Sequence, residues 1–239
     1  MPADAPTVST TTPGLLVSVT NVDEAVIAAE LGVDIVDIKN PQRGALGAAD
    51  PEVWRAVAAT VDPAVRLSAA LGEAIEADHA DQVPARFDFA KAGPAGCSTI
   101  ADLTDHWQRI RSQLAASVPL VAVAYADYQQ ANCPLPEAIL EAASANDIHW
   151  WLIDTFVKDG RSTLDHLTRD RLRDLNALAG RTNIRWVLAG SLRLENNPLE
   201  RDCDPHYVGL RGDVCQHGRT GTLVASRVKR WQQYLRELK

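Results

Sequence analysis

The chain has 239 residues, a formal net charge of −7 and a hydrophobic fraction of 46%. The acidic balance argues against nucleic acid or an anionic membrane surface as partner, because both demand a basic footprint, and leaves room only for a local basic pocket. The length accommodates one (β/α)8 barrel, a fold of typically about 250 residues, and equally a doubly wound sheet.

Residues 1–13 are rich in Pro, Ser and Thr and lack the basic start and apolar run of a signal peptide. They read as a flexible tail, with one domain over residues 14–239. Gly14–Val19 (GLLVSV) reads as a buried strand, and Asn21 and Asp23 offer helix-start chemistry before EAVIAAEL. Residues 33–39 (VDIVDIK) form a second strand, followed by the loop NPQRGALGAAD and a helix through Val53, Val57 and Val61. Further strands fall at 66–70, 86–92, 119–125, 149–154, 183–189 and Tyr207–Leu210, before a final helix ending in RVKRWQQYLREL. The helices expected near 73–82 and 193–202 are the most weakly patterned. Eight strand–helix alternations with no composition break imply parallel strands, and in a chain of this length they predict a closed single-domain (β/α)8 TIM barrel.

No segment approaches the ~20 apolar residues needed to span a bilayer, so the reading is a cytoplasmic protein with no membrane partner. Cys97, Cys133, Cys203 and Cys215 form no C-x-x-C pair and read as free thiols. The six histidines are scattered, with His217 the one nearest the expected mouth, and no metal-ligand spacing stands out. No metal is predicted.

Of the 24 cationic residues only five are lysine. Lys229 and Lys239 suit solvated charge on the last helix and at the C-terminus. Lys39, Lys91 and Lys158 each close an apolar run, VDIVDIK, RFDFAK and WLIDTFVK. Strand C-termini form the active-site face of such a barrel, and side chains from alternate strands share its interior layers, so lysines on strands two, four and six can converge. Asp37 shares a face with Lys39, being two residues away. Asp154 ends strand six and Asp127 follows strand five. Arginine cannot lose its proton near neutrality, whereas a lysine depressed by burial or neighbouring cations can attack a carbonyl. The bland alternative is a set of structural salt bridges at strand ends.

LAGS after strand seven and LRG after strand eight sit where these barrels bind phosphate. Gly190, Ser191, Gly209, Arg211 and Gly212 are the candidate contacts, with Arg211 free either to pair with phosphate or to bridge to an acid. Asn40, Arg43, Gly44 and Gly47 form a loop that serves as a lid, a second anion contact or a plain connection.

The segments LLVSVTNVDEA, DIVDIKNPQRGALGA, FAKAG, AYAD, LIDTFVKDG, LAGS and VGLRG, in that order from about Leu15 to Arg211, resemble (5-formylfuran-3-yl)methyl phosphate synthases of methanofuran biosynthesis. The resemblance implies a (β/α)8 barrel that condenses two glyceraldehyde 3-phosphate molecules with loss of phosphate and water and needs no cofactor. It implies that Lys39 forms the Schiff base beside Asp37, that Lys91 accepts a proton, and that Asp154 and Lys158 complete the set. Two other readings stand beside it: another Schiff-base aldolase acting on a sugar phosphate, and a non-catalytic barrel that binds a phosphometabolite. Trp54, Trp107 and Trp231 lie on outer helices, and association into a homo-oligomer is left open.

Overall fold

A computed structural model describes residues 12–195 and 203–238. Eight parallel strands close in chain order: β1 (Gly14–Val19), β2 (Ile35–Ile38), β3 (Arg66–Glu73), β4 (Phe89–Gly93), β5 (Leu120–Tyr125), β6 (Trp150–Asp154), β7 (Arg185–Leu188) and β8 (Tyr207–Leu210). β8 pairs back onto β1 with Leu16 opposite Gly209 and Val17 opposite Leu210. The single-domain (β/α)8 barrel expected from the alternation is the fold. The helices are α1 (Val22–Glu30), α2 (Pro51–Thr60), α3 (Ile100–Gln113), α4 (Pro136–Ala145), α5 (Thr163–His166), α6 (Arg169–Arg181) and α7 (Ala225–Glu237). Among the described residues no helix is long and apolar enough to cross a membrane.

Parallel strands covered by helices are buried on both faces, which is why their sequences run apolar rather than alternating. LVAVAY of β5 is buried throughout. Helix starts follow from local chemistry: Asn21 accepts from the Glu24 backbone N–H, and Pro51 opens α2 where its missing N–H costs nothing. The apolar faces of the helices enter a continuous outer core, where each fully buried Leu, Ile or Val contributes roughly 1.5–3 kcal/mol. Trp54, Trp107 and Trp231 point into this core and are at most 1% exposed, so they offer no surface for association.

Inward positions recur every second residue, as a strand requires. At the bottom, Phe89, Trp150 and Tyr207 form a chain of ring contacts with centroids 4.9 and 5.8 Å apart. The guanidiniums of Arg66 and Arg185 lie over Tyr207 and Trp150 at 5.2 and 5.4 Å. Two and four residues further along the same strands, the inward side chains become charged.

One expectation needs correction. The helix expected near 73–82 does not form. β3 runs on to Glu73 and is followed by 3-10 turns at Ala74–Glu76 and Ala80–Gln82. Ala74, Ala77 and Ala80 are all buried, a spacing of three that suits 3-10 turns at three residues per turn and supplies no 3.6-residue stripe. Arg109 of α3 fastens the segment by donating to the carbonyls of Ala74 and Ala77. The helix expected near 193–202 lies mostly outside the described residues, and the part that is described, through Glu195, is not helical. Of the tail expected over 1–13, residues 1–11 lie outside the described residues, and Thr12 and Pro13 have no regular structure.

Candidate active site

The strand C-termini surround a cavity of about 380 Å³, within the range of small-molecule sites. Lys39, Lys91 and Lys158 line it together with Asp154. Lys39 follows β2 directly, Lys91 stands at the middle of β4, and Lys158 comes from the loop after β6. Asp37 of β2 is wholly buried behind them.

The ion pairing is unequal. Lys91 Nζ lies 2.7 Å from Asp37 Oδ1, and Ser18 Oγ donates to the other oxygen of that carboxylate at 2.8 Å. Lys158 Nζ donates to Asp154 Oδ1 at 2.7 Å and to Thr155 Oγ1 at 3.0 Å. Among the described residues, Lys39 makes only a long 3.4 Å contact to the Ala45 carbonyl. Three amines therefore meet two carboxylates, and among the described residues Lys39 is the one without a carboxylate in ion-pair contact.

The electrostatics follow. Burial, the largest influence on Lys39, together with the charges of Lys158 and Lys91, outweighs the pull of Asp154 and Asp37 and lowers its pKa from 10.5 to about 8. Burial pushes Asp37 upward, but Lys91 and Lys39 more than offset it and hold the carboxyl below its ordinary value. Asp154 is held low against burial by Lys158 and Lys39. The site therefore holds two carboxyls kept below their ordinary range, each paired with a lysine, and a third lysine whose amine is lowered to about 8.

Other predicted residues have different work. Both oxygens of Asp127 are taken by backbone N–H groups of Phe156 and Val157, at 2.7 and 2.8 Å. Asp127 thus clamps the loop that carries Lys158 and does not join the ring of charges around the cavity. Asn40 Oδ1 accepts from the Gln42 N–H and caps a 3-10 turn at Pro41–Arg43, while Arg43 pairs with Asp50 on the surface.

Gly190, Ser191, Gly209 and Gly212 line the cavity. Gly190 adopts φ 96° and Ser191 φ 53°, both left-handed, and a Cβ at position 190 would strike Thr163 Oγ1. A non-glycine residue held at positive φ is a strained position of the kind that gathers at functional sites. Arg211 also lines the cavity and takes the second of the two roles expected for it, bridging to an acid. Its Nε donates to the Arg219 carbonyl, one terminal nitrogen to Ser18 O and Glu24 Oε2, and the other to Glu24 Oε1 and Gly221 O. All five donors of the guanidinium are committed. The Glu24 carboxyl is raised by burial and lowered further by Arg211, ending below its ordinary value.

Three further groups escaped the sequence reading. Glu73 accepts from the Tyr125 hydroxyl at 2.7 Å and from the Ala95 N–H at 3.0 Å, tying the tops of β3, β4 and β5 together. Burial holds that carboxyl above its ordinary value. Arg193 and Arg219 both line the cavity. A signal for Arg219 existed in the sequence: it sits between glycines in HGRTG, a tight-turn composition just beyond β8. Burial pushes the thiols of Cys97 and Cys215 up to about 11 and that of Cys133 up to about 12, away from the thiolate form that makes a cysteine nucleophilic. Among the described residues no three His, Cys, Asp or Glu side chains are grouped to hold a metal ion.

Comparison with known proteins is consistent across methods. The profile of the 4-HFC-P synthase family matches residues 15–232. A (5-formylfuran-3-yl)methyl phosphate synthase of Methanosarcina mazei is 34% identical over 220 residues, covering 87% of this chain and 93% of that protein. One of Methanopyrus kandleri is 32% identical over 215 residues, covering 86% and 91%. The crystal structure of phosphoribosyl anthranilate isomerase from Thermus thermophilus superposes with a TM-score of 0.59 at 16% identity, covering 95% of this chain and all of that one, a likeness of fold.

Proposed function

This chain belongs to the 4-HFC-P synthase family, and from that premise we propose that it condenses two molecules of glyceraldehyde 3-phosphate into (5-formylfuran-3-yl)methyl phosphate through a Schiff base on Lys39. The reading places its product in methanofuran biosynthesis. Two trioses less one phosphoric acid and two waters equal the product, so no external oxidant or reductant enters the balance.

The observation that carries the mechanism is the odd amine. Lys91 and Lys158 each lie 2.7 Å from a carboxylate oxygen, whereas among the described residues Lys39 is buried with no carboxylate in ion-pair contact. A neutral Lys39 Nζ adds to the triose aldehyde, and water leaves as the iminium forms. The iminium acidifies the adjacent C–H. The Asp37–Lys91 pair takes that proton, and phosphate departs from the next carbon with the electron pair of its C–O bond. The fragment left on Lys39 is an unsaturated iminium. The second triose loses the proton on the carbon beside its aldehyde and adds through that carbon to the fragment's terminal CH2, while the C=C electron pair moves toward the iminium nitrogen. The Lys158–Asp154 pair then delivers protons to the oxygens that leave as water during ring closure, and hydrolysis returns Lys39.

Incubation with glyceraldehyde 3-phosphate alone tests the reading, with phosphate release and furan-aldehyde absorbance followed together. Both signals should rise in step. Neither signal in folded protein would overturn the assignment. Borohydride should trap an adduct on the peptide containing Lys39, and Lys39→Arg, which keeps the charge but cannot become a neutral nucleophile, should abolish both turnover and trapping.

A further inference from the structure

The cations around the cavity are not equally satisfied. Lys91 pairs with Asp37, Lys158 with Asp154 and Arg211 with Glu24. Arg219 is half-buried, and among the described residues its guanidinium makes a single hydrogen bond, from one terminal nitrogen to the neutral Gly44 carbonyl at 2.6 Å. Burial is the largest influence on that guanidinium and disfavours its charge, with Asp154 the main opposing pull. A guanidinium drawn out of water without a counter-ion is an unbalanced cost that a bound anion removes.

The backbone beneath Arg219 is built to hold it in place. Residues 215–223 form a hairpin closed by an antiparallel bridge between Cys215 and Leu223 and by Gln216 N–H to Thr222 O at 3.0 Å. Its tip uses left-handed backbone at His217 (φ 59°) and Gly218 (φ 79°). Arg211 grips the hairpin from inside, donating to the carbonyls of Arg219 at 2.9 Å and Gly221 at 2.6 Å. The Arg219 backbone lies against Gly212, which lines the same cavity.

We infer that Arg219 is the residue that anchors a phosphoryl group of the substrate, and that Arg211 serves this contact only by positioning the hairpin that bears Arg219. The inference rests on the triose-phosphate reading above and deepens it. The planar fork of arginine matches two oxygens of a phosphomonoester dianion, and four of its five N–H donors are uncommitted. The bond to Gly44 also joins the hairpin to the loop after Lys39, so an anion held on Arg219 lies between the nucleophile's loop and the end of the chain.

The test is calorimetric titration of the whole chain with inorganic phosphate, which needs no turnover and so is independent of the furan-forming reaction. Arg219→Gln should weaken phosphate binding by on the order of tenfold to a hundredfold, the range for hydrogen bonds to charged groups. Arg219→Lys, which keeps the charge and loses the fork, should fall between the two. With glyceraldehyde 3-phosphate the loss should appear in KM, while borohydride trapping of unphosphorylated glyceraldehyde on Lys39 stays equal to wild type. Phosphate affinity unchanged in Arg219→Gln, or no phosphate binding by the wild type, would overturn the inference. If Arg219→Gln fails a thermal-unfolding check, Arg219→Lys decides alone, and wild-type affinity and KM in that variant would count against the bidentate anchor.

Discussion

The two ends of the barrel interior are made from the same strands and differ in kind. At the bottom, Phe89, Trp150 and Tyr207 close the lumen with ring contacts, and arginines lie over the rings from outside. Two residues above Phe89 stands Lys91, four above Trp150 stands Asp154, and four above Tyr207 stands Arg211. The period of two keeps all of these on one face, so a single strand contributes a plug at one end and a charge at the other. The bottom is stabilised by burying apolar surface. The top buries charges, a feature that costs stability unless each charge is paired. Lys39, which is not paired, is the sharpest expression of the difference.

Three substitutions or conditions would break or sharpen the contrast. The largest effect belongs to Lys39→Met, which removes the odd amine while keeping its apolar stem. Steady-state turnover should fall on the order of a thousandfold or more, as when a nucleophile is deleted. Next comes the bottom: Phe89→Ala should cost about 3 kcal/mol of stability in urea unfolding while leaving turnover per folded molecule within severalfold. A loss of turnover matching that of Lys39→Met would show that the two ends are not separable. The last effect, confined to a pH window, is no larger than that of Phe89→Ala. Because the native Lys39 pKa is lowered from 10.5 to about 8, the native state binds fewer protons than the unfolded chain between those values. Stability from this group therefore rises with pH across that window, and its deficit is complete below about 8. The stability gain of Lys39→Met over wild type should be greatest near pH 7, up to about 3 kcal/mol, and should vanish by about pH 10.5. Wild-type turnover should climb with pH up to about 8 for the same reason.

What was legible in the sequence was local. Apolar runs gave the strands, and the scarcity of lysine made three strand-end amines conspicuous. The shape of the charge pairing was not legible. Nothing adjacent to Arg211 announces Glu24, 187 positions away, as its partner. Asp127 reads as a mouth acid until its carboxylate is seen to accept two backbone N–H groups of the next loop. The segment after β3 is weakly patterned because its buried Ala74, Ala77 and Ala80 are spaced by three and form no 3.6-residue stripe. Arg219 was hidden by its own hairpin, whose composition signals a turn but not where the turn points.

The Glu24–Arg211 contact has a consequence for assembly. Glu24 lies in the first turn of the first helix, yet it accepts from Arg211 and from the Leu223 N–H as well as from Thr20. It is the rivet of the seam where the first βα unit meets the last. During synthesis that carboxylate emerges early and waits, ionised and unmatched, for a partner translated nearly two hundred residues later. Closing so long a loop is slow and entropically expensive. The hairpin that bears Arg219 is gripped by the same arginine, so its anchorage depends on contacts between the two ends of the barrel sequence.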